Sequence, residues 1–146
     1  MFNLLINKNG VNMKNNNSQR MLLIHDVLYE QFRECCDKVG FTNVYVIRHL
    51  LKVYSERELK ISESMVQDCG DSAVKKISIV LSKSVNDAFR REVKKHNMKV
   101  SSVINALLSV FIKVVESKDF EDLSEFREFV ETFEKRKWWD YEVEDK

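Results

Sequence analysis

Between Lys76 and Leu81 the chain alternates. Ile77, Ile79 and Leu81 fall on one side of an extended segment, with Lys76, Ser78 and Val80 on the other, the two-residue period of a β-strand. The period then lengthens. Val85, Phe89 and Val93 recur at i, i+4 and i+8, which predicts an amphipathic helix. Ser82 or Ser84 is placed to cap it, and Ser84 with Asp87 has capping-box spacing. Asn97 ends that helix, and Val103, Ile104, Leu107, Leu108 and Phe111 mark a second, more apolar one starting near Ser101.

The same pattern occurs earlier in the chain. Residues 19–54 align without a gap with residues 76–111, at a constant offset of 57. Eight of the 36 positions are identical, among them Phe32/Phe89, Val46/Val103, Ile47/Ile104 and Leu50/Leu107. Apolar character recurs in register at Leu22/Ile79, Ile24/Leu81, Leu28/Val85, Cys36/Val93, Phe41/Met98 and Tyr54/Phe111. Gly40 stands opposite Asn97, and these two residue types best tolerate the left-handed conformation that closes a helix. The first unit is therefore expected to form a strand from Met21 to Ile24 and a helix capped by Asp26 that runs to Val39. After Gly40, a second helix is expected with Thr42 or Asn43 as its cap.

Strand, helix, tight turn and helix, as in Lys-Lys-Ile-Ser-Ile-Val-Leu, Phe89, Asn97-Met98 and Val103-Ile104-Asn105-Ala106-Leu107-Leu108, resembles the ribbon-helix-helix family of β-ribbon DNA readers. One such unit leaves its strand without a backbone partner and its apolar faces uncovered. The resemblance implies the remedy: two units pair their strands into an antiparallel ribbon over four interlocked helices. With two copies in one chain, the expectation is a mainly α fold with a two-stranded antiparallel ribbon. It would be a tandem pseudo-dimer, monomeric as a chain and open to further self-association. Residues 1–18 are expected as a flexible lead-in, with Met13 an alternative start. Residues 19–54 and 76–111 form the two units, 55–75 an acidic, polar connector, and 112–146 a helical extension.

The resemblance makes double-stranded DNA the expected partner and the regulation of transcription the expected role. The outward strand positions Gln19, Met21, Leu23, Lys76, Ser78 and Val80 become the candidate base readers. Gln19 suits adenine, Lys76 suits guanine and Ser78 suits either, while the apolar three can touch only thymine methyls. The family's outward positions are usually polar or basic, so Met21, Leu23 and Val80 are a departure. A cover from Phe2–Ile6 or from a protein partner would account for it. Free N–H groups at the start of each second helix favour phosphate, which points to Thr42 and Asn43 in one unit and Lys99, Ser101 and Ser102 in the other.

Charge adds an asymmetry. The net charge of +1 conceals eight basic against two acidic residues over 74–111 and twelve acidic against six basic over 114–146. Lys83, Arg90, Arg91, Lys94 and Lys95 add positive field to the second unit, so an asymmetric operator is expected rather than a palindrome. Phe126, Phe129, Val130 and Phe133 recur at helical spacing within a helix expected over 117–137, followed by Trp138, Trp139 and Tyr141. That helix either packs on the core or offers Phe126, Phe133, Trp138 and Trp139 to a protein partner.

Three cysteines without a CxxC pair argue against a disulfide framework. Cys36, matched by Val93, is expected to be buried. Cys35 and Cys36 point about 100° apart on a helix and are poorly placed to share a metal. His25, His49 and His96 are scattered and expected on the surface or at caps. No catalytic, cofactor or metal motif stands out, and no apolar run or leader pattern suggests a membrane. A non-enzymatic, intracellular, cytoplasmic protein is expected. The rival is a protein-interaction module, antitoxin-like or inhibitor-like, that uses the apolar ribbon face or the aromatic tail.

Overall fold

The computed structural model describes residues 17–62, 65, 73–118, 123–135 and 138–140. Within them the chain is mainly helical with a single two-stranded antiparallel sheet. In chain order the elements are β1 (Asn17–His25), α1 (Asp26–Val39), α2 (Asn43–Ser55), β2 (Val74–Ser82), α3 (Lys83–Lys95), α4 (Val100–Ser117) and α5 (Leu123–Thr132), then a 3-10 turn at Trp138–Asp140. The order strand, helix, helix thus occurs twice.

Alternation sets the faces of the ribbon. Leu22, Ile24, Ile79 and Leu81 are buried and Ile77 packs partly against them. The residues between them point out. β1 pairs with β2 over its whole length, with Gln19 opposite Val80, Met21 opposite Ser78 and Leu23 opposite Lys76.

Below the ribbon the helices cross between halves: α1 packs on α4, and α2 packs on α3. Phe32 of α1 meets Phe111 of α4 edge-on, with ring centroids 5.7 Å apart at 62°. Phe89 of α3 meets Tyr54 of α2 at 5.7 Å and 64°. Burial of such side chains contributes about 1.5–3 kcal/mol each. Cys36 fills its apolar slot as Val93 does in the other half. Burial pushes its thiol up to about 12 and that of Cys35 up to about 11, which keeps both protonated and inert.

Both turns close as the Gly40 and Asn97 positions require. Gly40 has φ +81° and Asn97 φ +57°. The N–H groups of Phe41 and Met98 reach back to the carbonyls of Cys36 and Val93, a Schellman closure. Thr42 caps α2 by accepting from the Tyr45 N–H, and Ser82 caps α3 by accepting from the Val85 N–H. Asp26 is not a cap. His25 holds the N-cap position of α1 without a side-chain bond, and the Asp26 N–H donates to the Ala73 carbonyl at 2.7 Å. Ser84 is likewise within α3 rather than before it.

Several boundaries differ from those the sequence pattern suggests. Asn17 and Ser18, assigned to the lead-in, extend β1, because pairing with Ser82 and Leu81 satisfies their backbone. Ser55 ends α2, and the connector begins against the core, with Leu59 buried and Ile61 packed on it. α4 continues past Phe111 to Ser117 because Ile112, Val114 and Val115 are also buried. Ser117 therefore belongs to α4, and the helix expected over 117–137 is observed at Leu123–Thr132. By length and composition α4 could cross a membrane, but 61% of that stretch is buried inside the fold. Phe2–Ile6, Met13, Cys69 and Tyr141 lie outside the described residues.

Among the described residues of the extension, α5 and the turn at Trp138 pack on the core. Phe129, Phe133 and Trp138 are buried, and Phe133 lies against Phe41, Tyr45 and Phe111. Phe133 and Trp138 thus bury their apolar surface against the core. Phe126 and Trp139 are partly buried.

Candidate nucleic-acid interface

The outer face of the ribbon gathers all six predicted readers. Gln19, Met21, Leu23, Lys76, Ser78 and Val80 are exposed, in three cross-strand rows. The Gln19 Nε2 donates to Ser78 Oγ at 2.6 Å, a diagonal bond that orders one end of the face. It leaves the Gln19 carbonyl oxygen as a free acceptor. Lys76 carries the face's positive charge. Met21, Leu23 and Val80 are 55%, 42% and 44% exposed, so half of the surface is apolar.

Two side chains that the sequence pattern did not single out hold this ribbon on the helices. Arg48 of α2 donates from Nε to the Val80 carbonyl at 3.0 Å. Asn105 of α4 donates from Nδ2 to the Leu23 carbonyl at 3.1 Å and accepts the His25 N–H at 3.0 Å. Asn105 is buried, and its bonds satisfy edge groups that would otherwise be stranded. The signal was present in the chain: Arg48 and Asn105 stand at the same repeat position, each polar within an apolar helix.

The predicted phosphate anchors sit at the starts of α2 and α4. Thr42 Oγ1 is engaged by the Tyr45 N–H, and Asn43 Nδ2 donates to Tyr29 Oη at 3.4 Å. At α4 the N-cap residue is Lys99, exposed and making no side-chain cap bond. Ser101 and Ser102 are half-buried in the first turn. The start of α4 therefore presents backbone N–H groups and a nearby ammonium to an anion, whereas α2 is already capped.

No family model, curated protein or solved structure matches the chain.

Two further titratable groups, Glu92 and His49, serve the fold. Glu92 is buried, bonded by His96 at 2.9 Å and Arg57 at 3.3 Å. Burial alone would raise its carboxyl, but the His96 bond and the charges of Lys95 and Arg57 hold it below the usual value. His49 is half-buried: it accepts from Trp138 Nε1 at 2.9 Å and lies 4.3 Å from the Phe133 ring. Burial pulls its pKa down to about 4. Among the described residues no group of side chains is arranged to hold a metal.

Proposed function

We propose that the chain is a DNA-binding transcriptional regulator of the ribbon-helix-helix type. Its two halves would act as an intramolecular pseudo-dimer that lays β1 and β2 in the major groove. The observation that carries this reading is the ribbon's register. Met21 pairs with Ser78 at the centre of the sheet, and these residues are separated by the repeat's own offset. Pairing about equivalent residues is what a two-fold axis between units would produce.

Equivalence extends inward. Phe32–Phe111 and Phe89–Tyr54 are the same contact with the halves exchanged. Arg48 to Val80 and Asn105 to Leu23 repeat it at the ribbon's backbone. A two-stranded ribbon fits the major groove, and Gln19, Lys76 and Ser78 supply the donors and acceptors that distinguish bases. The basic second half supports an asymmetric operator.

Selection of bound duplexes from random sequence is the direct test. One sequence should be enriched, with affinity falling steeply as salt rises. Lys76→Ala with Ser78→Ala should cost about 1–3 kcal/mol for each bidentate base interaction removed and relax the preference. Weak, unselective binding indifferent to those substitutions would overturn the reading. A second reading, a protein-interaction module, is favoured by the exposure of Met21, Leu23 and Val80. It would then be the ribbon face, not Phe133 or Trp138, that meets the partner.

A further inference from the structure

A cleft of about 630 Å³ lies between the inner face of β1 and α3, lined in part by Arg20, Arg90, Arg91 and Lys94. On α3 the last three line this cleft, Lys94 standing one turn after Arg90 and Arg91, with Asp87 the single acid among the lining residues. Among the described residues none of the four cations is in an ion pair.

Arg20 is held in place. Its Nε donates to Asn86 Oδ1 at 2.8 Å and its guanidinium lies 5.4 Å from the centre of the Phe89 ring. Both terminal nitrogens remain for a ligand. Burial, and then the charge of Arg90, lower its pKa: four cations have been gathered in a cleft lined by one acid.

The scaffold does not require this arrangement. At the repeat-equivalent positions Arg20 is replaced by Ile77, Arg91 by Glu34 and Lys94 by Asp37. Arg33, the counterpart of Arg90, is paired to Glu30 at 3.2 Å. The four equivalent positions carry a net charge of −1 in one set and +4 in the other.

We propose that this cleft binds a phosphate ester. Arg20, Arg90, Arg91 and Lys94 take the phosphate, and the half-buried Met98 and Val100 take the less polar part of the group it carries. Arginine forks match phosphate oxygens in pairs, and the volume is that of a small-ligand site. Arg20 alternates with Gln19 and Met21 along β1, so a ligand here leaves the outer face of the ribbon open. The ester comes either from a free nucleotide or from a nucleic-acid backbone passing along α3.

Calorimetric titration of the full chain with ATP, and separately with a random-sequence duplex, distinguishes these sources. Arg90 and Arg91 are exposed, so Arg90→Ala with Arg91→Ala should keep the fold, as circular dichroism will check. For a free nucleotide, ATP binds saturably and the double variant weakens it about tenfold or more, as removal of charge-assisted bonds implies. For a backbone, ATP does not bind, and the variant lowers duplex affinity and reduces the salt slope by about one to two. Neither result depends on base reading, whose own failure appears only as indifference to Lys76→Ala with Ser78→Ala. If Arg90→Ala with Arg91→Ala alters neither titration, the cleft is not a phosphate site.

Discussion

His49 shows how one side chain can acquire a role that its sequence context does not announce. Its repeat counterpart is Ala106, so the shared scaffold asks nothing of it, yet its ring accepts the Trp138 N–H and fixes the C-terminal turn on α2. Only a neutral imidazole can accept. With its pKa held near 4 in the folded chain and near 6.5 when unfolded, the unfolded state binds the proton first as pH falls. The stability it contributes is complete above about pH 6.5 and is lost progressively down to about pH 4. Thermal melts followed by tryptophan fluorescence should therefore show Tm falling across that window. His49→Gln, which keeps an acceptor but does not titrate, should flatten the decline. An unchanged slope would mean that other groups govern the acid response.

At the scale of elements, the exchange of partners between halves is the main energetic fact. α1 buries Phe32 against α4, and α3 buries Phe89 against α2, so neither helix pair is completed by its own neighbour in sequence. Phe32→Ala and Phe89→Ala should each destabilise by about 3–5 kcal/mol, by similar amounts, in urea denaturation. A large cost at one site with almost none at the other would show that the halves do not share their interior equally. Here the repeat was a reliable guide. Ribbon faces, both turns and the core slots were legible, because alternation, helical spacing and the choice of Gly40 and Asn97 are local. Cap assignment at Asp26 failed for a non-local reason: the Asp26 N–H is satisfied by Ala73, a residue far along the chain.

For the molecule as a whole, a covalent link between halves makes their pairing unimolecular. The unfolding midpoint should then be independent of protein concentration over a hundredfold range, unlike that of a dimer assembled from separate chains. A midpoint that rises with concentration would mean that folding is coupled to association between chains. The same covalent arrangement frees the halves to diverge. Arg33, Glu34 and Asp37 on α1 face solvent as a nearly neutral set, while Arg90, Arg91 and Lys94 on α3 line a cationic cleft.

The candidate readers Gln19, Met21, Leu23, Lys76, Ser78 and Val80 follow from the order of residues alone. A strand's period of two assigns each residue to a face once its apolar neighbours are known. The cleft does not follow in that way, nor do the roles of Arg48, Asn105 and His49, because each joins residues dozens of positions apart. By itself the chain determined which residues are apolar, at what spacing, and that the pattern occurs twice, since these follow from local chemistry. Only the tertiary structure decided that Arg20 would lie beside Arg90, that Asn105 would hold the ribbon, and that Phe133 and Trp138 would be buried. Such contacts depend on how the two halves cross, and that geometry is not encoded in any single stretch.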